Sequence, residues 1–547
     1  MQALPFRGSG QQVQGIEFAY RAHADAQAAQ PVRHPVVVVG AGPVGLSLAI
    51  DLAQRGQRVV VLDNDHRLSS GSRAICFAKR TLEIWDRLGV GDVMVDKGVS
   101  WQVGKVFFKD SPIYQFNLLP EDGHARPAFI NLQQYYAESF LVERALQMPE
   151  IDIRWDHKVT ALSQDGQGAL LTIETPDGPH QLHADWVVAC DGSRSTLRGL
   201  MGLETQGRVF KDRFLIADVK MEAEFPTERW FWFDPPFHPG QSVLLHRQPD
   251  NVWRIDFQLG WDADPEVEKR PEHIIPRVQA LLGKDVKFEL EWASVYTFAC
   301  QRMAQFVHDR VVFAGDSAHG VSPFGARGAN SGVQDADNLA WKLDRVLRGV
   351  SPPSLVGTYG PEREYAADEN ILNSTRATDF ITPKSEISRV FRDATLQLAE
   401  HHVFARKLVN SGRLSVPAVL HSSPLNTPDA EVFESTQVPG AVLSDAPVSV
   451  KGRSSWLLRE LGSNFTLVIH GAMPAWVANW LSTLPQDEVK VLVLDQDVQD
   501  TQGLVAKRLG MQAGSAYLVR PDQHICARWH HPTQALVSAA YLRATGH

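Results

Sequence analysis

The sequence predicts an α/β chain: a Rossmann-like dinucleotide-binding unit, an antiparallel sheet inserted into it, and a C-terminal thioredoxin-like domain lacking CxxC. Three observations predict it. Residues 34–63 read as strand, glycine-rich turn, helix and second strand. Between 205 and 300, period-2 segments dominate. After residue 464 strands and helices alternate, with two strands close together before a last helix.

Taken in order, residues 1–33 are polar, rich in Ala and Gln, and expected to form a loosely packed arm. The first part of the nucleotide unit is expected over 34–204. Its four consecutive valines, Val36 to Val39, lack alternation, as a parallel strand covered on both faces does. They run into Gly40-Ala41-Gly42-Pro43-Val44-Gly45. Gly40 suits a tight turn, Gly42 a close approach of backbone to a pyrophosphate, and Gly45 the packing of helix on strand. The following helix offers unpaired N–H groups to phosphates. The second strand ends at Asp63, whose carboxylate can accept from a ribose 2′-OH. A plain glycine turn is the alternative, and the complete strand–helix–strand–acid context argues against it.

A loop carrying Arg73 leads to an amphipathic helix, and residues 101–130 read as a sheet excursion. Gln134 and Glu138 open a helix, and DIRWDHKVTALSQD reads as strand and hairpin. Trp186 to Cys190 is a buried strand followed by Asp191-Gly192. The alternating segments at 205–300 predict an antiparallel sheet with one face on a core or ligand, the domain to which the family resemblance given below assigns substrate binding. Over 301–411 the chain returns with a strand ending at Gly315-Asp316. A loop through Pro323, Gly325 and Gly328 then enters a helix near Asn330. The Pro- and Ser-rich stretch 412–440 reads as a linker, and 441–547 as the thioredoxin-like domain.

With a net charge of -9 over 547 residues, the chain has no basic stripe, so nucleic acid is not an expected partner. No apolar run reaches membrane-spanning length, and the N-terminus lacks a secretory pattern. The four cysteines stand singly, matching no metal or CxxC spacing, so no metal is expected and a cytoplasmic location is.

Three separated motifs line up: GAGPVG at 40–45, CDGSRSTLR at 190–198, and AGDSAHGVSPFGARGANSGVQDADNLAWKL at 314–343. Together they resemble the single-component FAD-dependent aromatic hydroxylases, in the variant with a C-terminal thioredoxin-like domain. The resemblance implies that Gly40, Gly42, Val44, Gly45 and Asp63 hold the ADP half of FAD. It implies that Arg73 and Gln134 approach the cofactor, and that Asp191-Gly192, completed by Ser195 and Arg198, serve FAD and NAD(P)H. Gly315-Asp316 match the motif at the ribityl chain. The loop and helix start at Pro323, Gly325, Gly328, Ala329 and Asn330 match the segment lying against the flavin ring. The helix beginning near Asn330 would then point its positive end at that ring.

The implied reaction uses bound FAD, transient NADH or NADPH, and O2. Reduced flavin forms a C4a-hydroperoxide, which hydroxylates a small phenolic substrate. A homodimer is implied as well. For substrate and catalysis the expected residues are Arg254, Arg247, Trp232, Pro323 and His246, with sheet-surface arginines and interlayer packing as the plain alternatives. His319 is, like His246, a candidate acid–base group by residue type, and the resemblance places it in a Gly-Asp-x-x-His motif with a structural or cofactor-positioning role. Trp230, Trp232 and Asp234 should share one face of a strand, with Phe231 and Phe233 on the other. Three other readings compete. A flavin-dependent halogenase is opposed by Asp234 in WFWFDP. A disulfide reductase is opposed by solitary Cys76. The third is a non-catalytic flavin-binding redox or assembly protein.

Overall fold

Val36, Val37 and Val38 are completely buried in a computed structural model that describes residues 13–223, 225–409 and 415–547. Their strand, Val32–Val39, lies between two parallel neighbours, His180–Ala189 and Val59–Leu62. Strand Val311–Phe313 extends the sheet in parallel beside His180–Ala189. Val39 is in register with both Leu62 and Ala189, and Ala189 with Phe313. The four strands therefore end at one level. That alignment brings Gly315-Asp316, Asp191-Gly192, the 40–45 turn and Asp63 to a single edge, where parallel sheets bind ligands.

The second sheet has seven strands among the described residues, running 289–296, 213–220, 252–259, 242–247, 229–233, 103–108 and 111–117. The expected insertion at 205–300 supplies five of them. The other two, Val103–Phe108 and Ser111–Asn117, come from the 101–130 excursion, and Val103–Phe108 joins parallel to Arg229–Phe233. One face of this sheet carries Trp232, Leu245, Trp253 and Phe257 and is covered through Ile274 and Val278 of helix Pro271–Leu282. The other face turns toward the nucleotide unit, with Phe233, Leu244 and Phe214 packing on Phe324 and Leu396.

Two segments pack more closely than the composition suggested. Residues 13–31 are not a loose arm. Phe18 stacks on Trp155 at 4.5 Å between centroids, its N–H donates to the His66 carbonyl at 2.6 Å, and Tyr20 donates to Asp177 at 3.0 Å. Residues 1–12 of the expected arm lie outside the described residues. Within the expected linker, residues 415–440 lie along the C-terminal unit: the N–H groups of Thr427 and Gly440 donate to the carbonyls of Cys526 and Ile525, each at 2.7 Å.

The C-terminal sheet runs 489–494, 465–470, 516–519, 525–529; its first pair is parallel and the rest antiparallel. It is joined to the nucleotide unit by buried charge. Arg520 bridges Glu362 at 2.6 Å and also Asp522, and Lys342 reaches the same Glu362 at 2.7 Å. Arg80 donates to Asp337 at 2.8 Å and to the Asp522 carbonyl at 2.9 Å.

Candidate functional site

At the sheet edge the three glycines of the turn do different things. Gly40 has φ +110, and a Cβ there would stand 2.4 Å from the Cys190 carbonyl oxygen. A Cβ on Gly45 would meet the Gly40 carbonyl oxygen at 2.0 Å, so helix and strand touch through bare backbone. Gly42 caps helix Pro43–Gln54 in extended conformation, and a Cβ on it would meet nothing within 4 Å. Open space thus lies directly in front of the helix N–H groups. Val44 points away from that space: it wedges into a notch whose walls, Gly315 and Gly332, would carry Cβ atoms 3.0 and 2.6 Å from its Cγ2. Val44, expected among the cofactor-holding residues, thus commits its side chain to packing.

Asp63 accepts from the Ala41 N–H at 2.6 Å and from the Asp65 N–H at 2.8 Å. Burial raises its pKa against the pull of these donors. On the neighbouring strand end, Asp191 Oδ2 accepts from the Leu197 N–H at 3.0 Å, while its Oδ1 is buried without a hydrogen-bond partner among the described residues. Burial raises that carboxyl's pKa too. Gly192, at φ +78, turns the chain toward Ser195, which caps the short helix Thr196–Leu200, and Arg198 donates to the Ser317 carbonyl at 2.7 Å.

Asp316 follows Gly315 on the next strand end and makes no side-chain hydrogen bond among the described residues. The surrounding protein raises its pKa, opposed by the charges of His319 and Arg73. His319 itself is tied down: Nε2 lies 2.7 Å from Asp335, and Asp335 also accepts from the Gly315 N–H at 2.9 Å and from Arg363 at 2.6 Å. This buried chain fixes the backbone under Asp316.

Loop 322–327 bends through Gly325 at φ +95 and Ala326 at φ +52, with Pro323 exposed, and enters the 20-residue helix Gly328–Leu347. The helix starts two residues before Asn330, with Gly328 and Ala329 on its partly open first turn. Asn330 departs from its expected contact with cofactor. Its Oδ1 accepts from the Ala78 N–H at 2.8 Å and from Thr81 at 2.6 Å, and its Nδ2 donates to the Cys76 carbonyl at 2.9 Å. The side chain is fully engaged in pinning the helix start to strand Cys76–Ala78.

Arg73 is exposed over this edge, and its charge reaches both Asp316 and Tyr296. Its loop is held from two sides. Gln134 accepts from the Ala74 N–H at 3.1 Å and donates to Glu138 at 2.8 Å, and Glu138 in turn accepts from the Ser69 N–H at 2.9 Å. From the sheet, Arg254 donates to the carbonyls of Ser72 at 2.5 Å and Arg73 at 3.3 Å while paired with Asp218. Arg254 is 2% exposed, so its expected contact with substrate is corrected: it positions the Arg73 loop.

Beside loop 322–327 lies a cavity of about 370 Å³ walled by Phe231, Phe233 and Phe324, with Arg327, Arg376 and Lys407 also lining it. Two expected substrate residues are on the wrong face for it. Trp232 stacks on Phe107 at 5.1 Å in the layer under helix Pro271–Leu282, and the Arg247 guanidinium lies 5.8 Å over Trp253 on that same side. Strand alternation is the reason: Trp232 and Arg247 share the far face, whereas Phe231 and Phe233 reach the cavity. His246 is on the nearer face yet does not line the cavity. It is 2% exposed, 3.0 Å from Asp256 and 4.0 Å from Cys76 Sγ, so its expected acid–base contact with substrate is corrected to an internal pair. Asp256, Asp335 and Arg376 escaped the sequence reading because their roles depend on distant partners. Phe231 and Phe233 had a signal in the alternation of RWFWF.

These residues suit a bound flavin dinucleotide: a clear path in front of Gly42, an unpartnered buried oxygen on Asp191, and an unpartnered carboxylate on Asp316.

Comparison with known proteins agrees. The profile of the FAD binding domain family matches residues 33–374. The chain is 25% identical to the 3-(3-hydroxy-phenyl)propionate/3-hydroxycinnamic acid hydroxylase of Mycolicibacterium smegmatis, over 93% of this chain and 94% of that protein. It is 27% identical to the 12-dehydrotetracycline 5-monooxygenase/anhydrotetracycline 6-monooxygenase of Streptomyces rimosus, over 90% and 95%. Among solved structures, the OxyS anhydrotetracycline hydroxylase from Streptomyces rimosus superposes with a TM-score of 0.72 at 25% identity, covering 94% of this chain and 99% of that one. The flavin-dependent monooxygenase PieE, in complex with FAD and substrate, shares the fold at a TM-score of 0.80 and 21% identity, covering 94% and 99%.

Proposed function

The chain belongs to the FAD binding domain family, and from that premise we propose that it is a FAD-dependent monooxygenase hydroxylating a phenolic compound with NAD(P)H and O2. One observation carries this reading. The loop that leaves Asp316 and enters helix Gly328–Leu347 also forms, through Phe324 and Gly325, a wall of an aromatic cavity. The cofactor edge and the substrate space therefore share a wall. The relatives named as hydroxylases support the same reading.

FAD, when bound, accepts hydride from NAD(P)H and activates O2 for transfer of one oxygen atom to the ring. The chain's own residues set the conditions. Gly42 and the N-terminus of helix Pro43–Gln54 would receive the pyrophosphate. Asp63 would hold the adenosine ribose and Asp316 the ribityl hydroxyls. The positive end of helix Gly328–Leu347 would stabilise negative charge on the reduced cofactor. Phe231, Phe233 and Phe324 hold an aromatic ring and exclude water.

The C-terminal unit is a thioredoxin-like domain without a redox pair, a reading supported by its strand order and by the solitary, buried Cys526. A cytoplasmic homodimer completes the proposal. The exposed apolar side chains Ile387, Val390, Phe391 and Phe404 support self-association, and the four free cysteines a reducing compartment. The test is NADH and NADPH oxidation by the yellow holoprotein with a panel of phenols, following product by mass spectrometry. One phenol class should accelerate oxidation and gain one oxygen. Flavin binding with no substrate-stimulated oxidation would point instead to the non-catalytic flavoprotein.

A further inference from the structure

The wall of the 370 Å³ cavity narrows the substrate further. Phe231, Phe233 and Phe324 offer flat apolar surface on the side of the sheet and the cofactor loop. Across from the sheet, helices Tyr359–Ile381 and Val403–Val409 bring Arg376 and Lys407 to the lining, and Arg327 joins them from the loop. No Asp or Glu is among the described residues lining it. Three cations without one carboxylate, in a chain of net charge -9, is a local excess against the overall balance.

Arg327 is the buried member and donates to Asn370 Oδ1 at 3.0 Å, which fixes the direction of its guanidinium. Arg376 and Lys407 are exposed. Their charges are screened less inside a partly closed, apolar-walled cavity than on open surface. An anion entering such a space meets the planar fork of Arg376, suited to a carboxylate, beside the ammonium of Lys407.

The volume leaves room for an aromatic ring with a polar arm: ligand pockets span about 300–1,000 Å³, and this one lies within that range.

We propose that the substrate is an aromatic acid: one phenolic ring stacked against Phe231 and Phe233, with a carboxylate on the ring or a short arm directed at Arg376 and Lys407. This rests on the monooxygenase reading above and names the substrate class for it. Arg376 is the specificity-determining residue, since it is exposed to the ligand and borne on a long helix.

The experiment uses the FAD-loaded full chain and a panel of hydroxylated aromatic acids with arms of zero to three carbons, each beside its own methyl ester. NAD(P)H oxidation and oxygenated product are read together. At least one acid is expected to exceed its ester by tenfold or more in kcat/KM, mainly through KM. In Arg376→Ala that acid-to-ester preference falls toward one, and Arg376→Lys restores part of it; Lys407→Ala lowers it less. Arg376→Ala should melt close to the parent, so a lost preference is not lost folding. Equal or better turnover of the esters would overturn the aromatic-acid assignment while leaving the monooxygenase standing. An undiminished preference in Arg376→Ala would overturn the role of Arg376. Stimulation by no acid or ester, in a protein that binds FAD, would overturn the aromatic-acid assignment; silence from the wider phenol panel as well would overturn the monooxygenase.

Discussion

Arg254 and Asp218, cross-strand partners in the seven-stranded sheet, meet in a two-point ion pair, Nε to Oδ1 at 2.8 Å and Nη2 to Oδ2 at 2.7 Å. The same guanidinium holds the carbonyls of Ser72 and Arg73, so one buried residue joins the sheet to the loop that carries Arg73 over the cofactor edge. Arg254→Ala leaves Asp218 buried without its counter-charge, a loss of about 3–5 kcal/mol. The melting temperature should fall and FAD should bind more weakly, as read by thermal unfolding and flavin fluorescence titration. Arg254→Lys keeps the charge but not the fork and should lie between. Unchanged FAD affinity in Arg254→Ala would refute the positioning role.

The turn glycines separate folding from binding. Gly45→Ala places a methyl 2.0 Å from the Gly40 carbonyl oxygen and should yield unstable, colourless protein. Gly42→Ala meets nothing within 4 Å, so the chain should fold with nearly the parent melting temperature. Its methyl nevertheless projects where the pyrophosphate approaches, and the FAD dissociation constant should rise at least tenfold. Equal FAD affinity in Gly42→Ala and parent would count against the phosphate path.

Neighbouring aromatics on one strand should behave oppositely. Trp232 is packed between Phe107 and Phe237, and Trp232→Ala should cost about 3–5 kcal/mol of stability. Phe231 lines the cavity, so Phe231→Ala should raise KM for the aromatic substrate several-fold with a smaller thermal penalty. Denaturant curves and steady-state kinetics on both variants decide it, and a reversed pattern would reassign the faces.

Acid should loosen the sheet through His246. Burial, reinforced by the charge of Arg229, pushes its pKa down from 6.5 to about 4. Between these values the unfolded chain binds a proton that the folded chain refuses, so stability is full above 6.5 and falls as pH drops toward 4. One such histidine contributes about 3 kcal/mol over that range. His246→Gln should flatten this part of the stability-versus-pH curve measured by urea unfolding. An unaltered slope would show that other groups carry it.

The C-terminal unit should unfold with the rest. Arg520→Ala leaves Glu362 and Asp522 sharing buried negative charge, at a cost of about 3–5 kcal/mol. Because Glu362 also holds Lys342 on helix Gly328–Leu347, the flavin should be released in the same calorimetric transition. Two separate transitions in the parent protein would argue against this coupling.

The nucleotide unit was legible because its chemistry is local. Valines, glycines and a terminal acid over 34–63 state a strand, a turn, a helix and a second strand within thirty residues. Gly315-Asp316 and Asp191-Gly192 were legible for the same reason, each closing its own strand. Strand alternation separated Trp232 from Phe231 in the sequence as well. What the pattern lacked was a sign of which face meets the cofactor unit, since both faces of that sheet are apolar.

By itself, then, the sequence determined the dinucleotide cradle, the α/β class and the alternation of the inserted sheet, all set by backbone periodicity and side-chain size within short windows. Only the tertiary structure decided that Arg254 holds a loop, that Trp232 and Arg247 face the wrong layer, and that Arg376 and Lys407 reach the cavity of Phe231. The hold of Arg254 on Ser72, the stack of Trp232 on Phe107 and the approach of Arg376 and Lys407 to Phe231 each join residues more than a hundred positions apart. Burial and charge pairing there are settled by how the layers stack, and no local pattern encodes that stacking.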